Sequence, residues 1–531
     1  MISVDLHSLS TLNRDMSTIH IVYKGNFVPK LKNTLFMKNL CKTLLPVVLM
    51  LLPGFSRADV FKPVPAPNPW ADDYRSLSSM GNYKSWGTYN VHDPACRKVG
   101  DYYYMYSTDA IFAENRQEAA EKGVPMGFIQ MRRSADLVNW EFLGWALPEI
   151  PAEAVQWVKS NAGGNGAENI WAPYMMPHGD KFRLYYCVSA FGKNTSYIGL
   201  AESSSPEGPW ELKGCVVRTD ESSVMNAIDP SVVVTDDGKW WMHYGSFFGG
   251  LYCVELNPAT GLPVTAGDQG HLVARRADYS VHNLEAPEII YHEPSRQYFL
   301  FGSYDPLMTT YNVRVGRSDK PEGPFIDFFG KEMSDTTNNF PILTAPYRFD
   351  SHDGWVGTAH CGVFTDGEGN YFMAHQGRLA SESALMDLHV RRILFTPDGW
   401  PVVSPQRYAG VPQRSFSAAD LEGEWEIVRI VEPRAERRLE AGQILWGEGA
   451  LLDGEWNIAQ PYTLANAGVI AENKGSWQFD EKNQLLSMTL NGEKINNLII
   501  FAGHDWERRL DTVLFTGLDD QGRSVWGKRT K

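Results

Sequence analysis

Cysteine is scarce in this chain of 531 residues. The six cysteines are scattered and no two form a CxxC pair. That pattern excludes a disulfide framework and a zinc knuckle. Long apolar runs are missing as well. Residues 44–52 are apolar but interrupted by Pro46 and followed by Pro53, too short a stretch to span a bilayer, so no membrane insertion is expected. Positive charge is in deficit, with 49 Lys and Arg against 63 Asp and Glu and a net charge of −14. Nucleic acid and anionic membranes are therefore poor partners, and a neutral ligand fits better.

Aromatic residues are plentiful: 17 Trp, 23 Tyr and 25 Phe. Most of them suit the core of an all-β fold, and the remainder suit stacking on sugars. Five stretches share one design: a polar opening, often with proline, then a short apolar strand, a tight polar turn and an aromatic strand. The openings are His92-Asp93-Pro94, Trp171-Ala172-Pro173, Ile228-Asp229-Pro230, Glu285-Ala286-Pro287 and His360-Cys361-Gly362. The aromatic strands follow near residues 103, 183, 241, 299 and 372. Hairpin turns are marked at Gly100-Asp101, Gly179-Asp180, Asp237-Gly238 and Asp366-Gly367.

Repeats of this size built from short strands predict a five-bladed β-propeller over residues 86–410. Short helices are expected near 114–122 and 150–161. After Pro405 the pattern changes to a second run of alternating strands, and residues 415–531 are expected to form a small β-barrel that packs on the propeller or binds glycan. Ahead of the repeats, Lys38 and Lys42, the apolar run 44–52 and Ser56-Arg57-Ala58 make a secretory signal, with Met37 as the expected true start. Residues 1–58 are thus set aside and residues 59–85 read as a proline-rich leader to a secreted protein.

A propeller brings the starts of its inner strands to one funnel. Asp93, Trp171, Asp229, Glu285 and His360 would therefore meet on the axis. Glycoside hydrolysis needs a carboxylic acid to protonate the leaving oxygen and a carboxylate on the opposite face of the sugar. A further carboxylate nearby raises the pKa of the acid. Taken singly, Asp-Pro is a common turn element in which Asp caps local amides, and a lone histidine is usually a satisfied core residue. Glu has little reason to open a buried strand. Recurrence of acidic residues at one place in three repeats points to a site.

These motifs resemble glycoside hydrolase family 43. The resemblance is carried by His92-Asp93-Pro94, Trp171-Ala172-Pro173, residues 226–231, Ser246-Phe247-Phe248-Gly249-Gly250-Leu251, Leu284-Glu285-Ala286-Pro287 and, most specifically, residues 310–318. It implies an inverting endo-α-1,5-L-arabinanase of the two-domain bacterial type, acting as a monomer on the arabinan of plant cell-wall pectin. It also implies Asp93 as general base, Glu285 as general acid and Asp229 as the residue that tunes the acid. Glu288 is the competing glutamate. Substrate contacts are expected from Trp171, Phe191, Gly192, Asn226, Ala227, Ile228, Ser246, Phe247 and Phe248. His360 is expected to hold a hydrated Ca²⁺. Tyr174 and Cys361 stand where the family usually carries Asp and Asn or Gly. Two other readings remain: an exo-acting arabinofuranosidase or xylosidase on the same scaffold, and a non-catalytic glycan-binding propeller. The opening Asn-Asp-Pro-Asn-Gly of retaining fructan-cleaving propellers is absent.

Overall fold

The structure, a computed structural model, describes residues 78–110, 113–276, 283–335, 338–432 and 456–531. The expected signal segment 1–58 and the leader up to residue 77 lie outside the described residues.

The fold is all-β. Its first four sheets are four-stranded antiparallel meanders in chain order. They begin with inner strands His92–Val99, Trp171–His178, Ser231–Val234 and Leu284–His292. Each inner strand pairs with an aromatic strand, Tyr102–Thr108, Lys181–Ser189, Trp240–Tyr244 and Gln297–Tyr304 respectively. These second strands are buried on both faces along most of their length. That is the expected burial for sheets stacked face to face, and it explains their run of Tyr, Phe, Leu and Val in place of a polar–apolar alternation. The two helices form at Ala113–Lys122 and Ala152–Asn161.

The fifth repeat differs from the expectation of five like blades. Its strands Cys361–Thr365, Tyr371–Leu379, Glu382–Phe395 and Pro401–Val403 belong to a seven-stranded sheet. The strand Tyr371–Leu379 is long enough to take two partners along one edge. Cys361–Thr365 pairs with its first half, and Trp355–Val356 pairs with Arg378 and Leu379. Tyr347–Arg348 then pairs in parallel with Asn457–Ile458. Among the described residues the separate four-stranded sheets are therefore four in number.

Inner strands of consecutive repeats touch one another, and Cys361–Thr365 touches both Leu284–His292 and His92–Val99. The result is a propeller-like ring. Gly362 sits at its closure, where a side chain would collide with the carbonyl of Pro94.

The last part of the chain is a closed eight-stranded barrel running from Gly423–Arg429 to Ser524–Arg529. Its Val428, Ile430 and Trp526 share one apolar core with Tyr347, Trp355 and Val403 of the seven-stranded sheet. Polar ties reinforce the seam: Thr516 Oγ1 donates to Val403 O at 2.8 Å and Ser524 Oγ to Ile342 O at 2.7 Å. The barrel thus packs on the propeller-like ring through a buried face.

Candidate active site

Each inner strand opens with a residue in the left-handed region: Asp93 (φ 51°), Ala172 (φ 37°), Asp229 (φ 59°), Ala286 (φ 55°) and His360 (φ 50°). In the first, second and fourth sheets the register of pairing shifts across this point. These are bulges, which re-aim side chains at the end of a strand. Aspartate and histidine tolerate the left-handed region better than most residues, whereas alanine holds it only if its surroundings enforce it.

The enforcement comes from neighbouring sheets. The Ala172 N–H donates to Thr108 Oγ1 at 2.7 Å, Ala286 N–H to Asp229 Oδ2 at 3.2 Å, His360 N–H to Ser303 Oγ at 2.9 Å and Asp93 N–H to Gln376 Oε1 at 3.3 Å. The backbone amide of Asp229 faces the Cys187 sulfur. Each of these five positions is thereby held by a side chain from the sheet before it around the ring.

This frame revises one detail of the sequence reading. The structural equivalents of Asp93, Asp229 and His360 are Ala172 and Ala286. Trp171 and Glu285 stand one residue earlier, as the last residues before their bulges. Aligning the openings on Pro94, Pro173, Pro230 and Pro287 reveals this offset in the sequence itself.

Asp93, Asp229, Glu285 and His360 come together at the mouth of the ring. Asp93 is buried, with Oδ1 2.8 Å from His360 Nδ1 and 2.7 Å from His92 Nδ1. Its Oδ2 accepts from Thr108 Oγ1 at 2.7 Å. Burial alone would raise Asp93, but the two imidazoles outweigh it and hold the carboxyl well below its usual range. Burial would also depress His360, yet the charge of Asp93, with Asp229 and Glu285 behind it, lifts the ring to about 9. Glu285 receives two hydroxyls, Ser246 Oγ on Oε2 at 2.7 Å and Tyr311 OH on Oε1 at 2.7 Å. Burial pushes Glu285 up, against the pull of Tyr311, His360 and Ser246. Asp229 is also pushed up, by burial first and then by the charges of Glu285 and Asp93, although His360 pulls it down. Two neighbouring carboxyls, Asp229 buried and Glu285 half-buried, resist a second negative charge, so the pair titrates as a unit.

Glu288 does not join this group. It lies beyond the bulge, where Oε1 accepts from Val363 N–H at 3.1 Å and stands 3.5 Å from Arg97 Nη2. Asp93, Asp229, His360, Tyr174 and Glu288 all line one small cavity.

The expected substrate contacts divide into three sets. Phe191 is 73% exposed and Phe248 38%, with Gly192 beside Phe191 in the same turn. These residues are open to solvent. Phe247 and Phe248 both have positive φ, at 55° and 37°. The Phe247 N–H bonds Leu284 O at 2.8 Å, which ties this strained loop to the strand bearing Glu285. Trp171 is half-buried against an apolar cluster that also contains Ala227 and Ile228. Ala227 and Ile228 thus belong to the layer under the rim, not to its surface. Asn226 is buried and its Oδ1 accepts from Ser196 Oγ at 2.5 Å, while Ser246 is committed to Glu285.

Two functional neighbours were not singled out from sequence. Tyr311 lies inside the 310–318 stretch, which was the available signal. Thr108 ends an aromatic strand and carried none.

Among the described residues no group of three or more His, Cys, Asp or Glu side chains is arranged to hold a metal ion. His360 fits a single-ligand role in its neutral form, so an ion must displace the proton that the Asp93 charge holds on the ring. Its Nδ1 faces a carboxylate, the arrangement that directs the other ring nitrogen of a metal-binding histidine to the ion. Nε2 is the one ring nitrogen left for it.

Comparison with known proteins decides the family. The sequence pattern of glycosyl hydrolases family 43 matches residues 87–401, and that of its C-terminal lipocalin-like domain matches residues 405–527. The chain belongs to glycosyl hydrolase family 43. This family 43 chain is 28% identical over 495 residues to the extracellular endo-α-(1→5)-L-arabinanase of Thermotoga petrophila, spanning 83% of this chain and 94% of that protein. It is 25% identical over 488 residues to extracellular endo-α-(1→5)-L-arabinanase 2 of Bacillus subtilis, spanning 83% and 93%. An extracellular exo-α-(1→5)-L-arabinofuranosidase of Cellvibrio japonicus is 30% identical over 332 residues, spanning 59% of this chain and 86% of that protein. The crystal structure of the Thermotoga petrophila enzyme aligns with a TM-score of 0.69 at 26% identity, over 84% of this chain and 99% of that chain.

The hydroxyl contacts at Glu285 give a test of its electrostatics. Tyr311→Phe removes a donor to the ionised carboxylate, so the Glu285 titration should move to still higher pH. Carboxyl ¹³C NMR of glutamate-labelled protein reads this directly. A midpoint that stays or falls would show that Tyr311 does not stabilise the charged form.

Proposed function

We propose that the protein is a secreted, monomeric endo-α-1,5-L-arabinanase that cleaves internal linkages of arabinan with inversion. The observation that carries this reading is the grouping of Asp93, Asp229 and Glu285 at one mouth of the ring, in a family 43 chain whose near-full-length relatives are extracellular endo-arabinanases. We read the strands from Cys361–Thr365 to Pro401–Val403 as the fifth blade, extended by its extra pairings. Residues 86–410 then form the catalytic domain and 415–531 the barrel domain, which stiffens it. A non-catalytic glycan-binding ring would need neither the depressed carboxyl of Asp93 nor a raised pair beside it.

In this mechanism Asp93 is the base. Its low pKa keeps it ionised, and His92, Thr108 and His360 fix its orientation. It takes a proton from a water that attacks the anomeric carbon of the arabinofuranosyl unit. Glu285 is the acid and gives its proton to the departing oxygen of the next sugar. Asp229 keeps that proton on the pair: with Asp229 nearby, ionisation of Glu285 costs more. The exposed rings of Phe191 and Phe248 offer stacking faces for sugar units on either side. Activity therefore rises as Asp93 ionises at low pH and falls as the Asp229–Glu285 pair loses its proton at higher pH.

A Ca²⁺ ion held by His360 Nε2, otherwise hydrated, would add positive charge beside Asp93 and support its low pKa. Calcium prefers oxygen ligands, so the protein would contribute one donor and water the rest. Chelation should lower activity and added calcium should restore it. Full activity in a protein shown free of calcium by atomic emission would overturn this assignment.

Products on linear arabinan discriminate endo from exo action. Short oligosaccharides with an early fall in viscosity are expected. The Cellvibrio japonicus relative favours the exo reading, and arabinose alone from the first minutes would establish it. For the acid, Glu285→Ala should lose about 10²–10⁴-fold on arabinan and keep much of its rate on an aryl arabinofuranoside whose leaving group departs without a proton. Asp93→Ala should be inactive on both. Equal losses for Glu285→Ala on the two substrates would contradict the assignment.

A further inference from the structure

One layer beneath the carboxylates, a buried network touches all five inner strands. Arg97, on His92–Val99, donates from Nη1 to Val363 O at 3.2 Å and from Nη2 to the Tyr174 hydroxyl, and its guanidinium lies 4.5 Å from the Tyr174 ring centre. Tyr174, on Trp171–His178, donates to Val232 O at 2.6 Å on Ser231–Val234. Glu288, on Leu284–His292, accepts from Val363 N–H on Cys361–Thr365 and meets Arg97. The Ser231 hydroxyl bonds Glu288 and also accepts from Ile289 N–H at 3.2 Å.

The placement of Glu288 is specific. Register in its strand shifts between Glu285 and Glu288. Glu285 is the last paired residue before the bulge and Glu288 the first after it. Above, the bulge is held by Ser246 and Tyr311 on Glu285 and by Asp229 on Ala286 N–H. Below, it is anchored by the Ser231 hydroxyl on Ile289 N–H and by Glu288, which is tied to the strand of Asp93 through Arg97 and to the strand following His360 through Val363. A buried charged group is expensive to keep unless its partners are fixed, and Glu288 is almost fully buried, with Val363, Ser231 and Arg97 as its partners.

We propose that Arg97, Glu288 and Tyr174 form a positioning unit for the hydrolysis, holding the bulge between Glu285 and Glu288 so that Glu285 keeps its place relative to Asp93. The unit ties the strand of the base to the strand of the acid. It touches neither substrate nor reacting atoms, and Glu288 is a positioning residue. This rests on the assignment of Glu285 as acid and Asp93 as base.

Steady-state kinetics on linear arabinan and on an activated aryl arabinofuranoside test it. Glu288→Ala loosens the lower end of the bulge, leaving the Ser231 hydroxyl on Ile289 N–H as its anchor there. Because a displacement of about 1 Å can cost about 10²-fold, kcat on arabinan should fall by about that factor. KM should stay within about threefold, since ground-state sugar contacts are untouched. The loss on the aryl substrate should be several times smaller, because acid placement matters less there. Glu288→Gln cannot give a proton but keeps an acceptor for Val363 N–H, so it should recover most of what alanine loses. Arg97→Met should show the same kcat-selective pattern, and decides the matter should Glu288→Ala fail to fold. The proposal is overturned by unchanged kcat in Glu288→Ala or Arg97→Met, or by equal losses on both substrates with a matching rise in KM, which marks general disorder. It is equally overturned if Glu288→Gln is as inactive as the alanine variant on arabinan alone, which would make Glu288 the proton donor. Glu285→Ala runs alongside as the control: if that variant does not spare the aryl substrate, the acid assignment itself is wrong, whatever Glu288 does.

Discussion

The structure depends on how five left-handed residues, three of them in β-bulges, are held at the start of the inner strands. A non-glycine residue in that region costs on the order of 1–3 kcal/mol, and it persists because its amide is bonded from the neighbouring sheet. Thr108, Asp229, Ser303 and Gln376 each take such an amide. The same contacts do two jobs. They join successive sheets into a ring, and they aim the side chains at the bulges toward the axis. Thr108 shows the economy of the arrangement, since one hydroxyl accepts from Ala172 N–H and donates to Asp93 Oδ2.

Electrostatics follow from that geometry. Asp93 lies between two imidazoles and stays charged. Asp229, buried, and Glu285, half-buried, neighbour one another and resist a second charge. Environments that push the pKa values of neighbouring carboxyls apart are how one site supplies both a base and an acid. Here the separation comes from which histidines each carboxyl can reach: Asp93 touches His92 and His360 directly, while Glu285 touches only hydroxyls.

Much of this was legible in the sequence because the repeats carry their chemistry at their openings. Asp93, Asp229, Glu285 and His360 could be picked out from position alone, and the all-β fold, the two short helices and the change of pattern after Pro405 were visible from turn residues and spacing. Other features were not. The edge pairing of Trp355–Val356 with Tyr371–Leu379 depends on strand length in three dimensions, and no local pattern marks it. The one-residue offset of Trp171 and Glu285 from the bulge positions is written in the prolines, but it acquires meaning only once the positive φ angles are known. Asn226, Ala227 and Ile228 sit in a stretch that resembles a substrate loop, yet their side chains are buried, because proximity in sequence to Asp229 does not decide which way a residue faces.

The central claim is that Asp93 activates water instead of attacking the sugar itself. Following the first turnover on an α-linked arabinofuranoside by ¹H NMR tests it most directly. The account predicts that the β-anomer of the product appears first and then mutarotates. Initial release of the α-anomer would mean a covalent intermediate on Asp93, and would contradict the account.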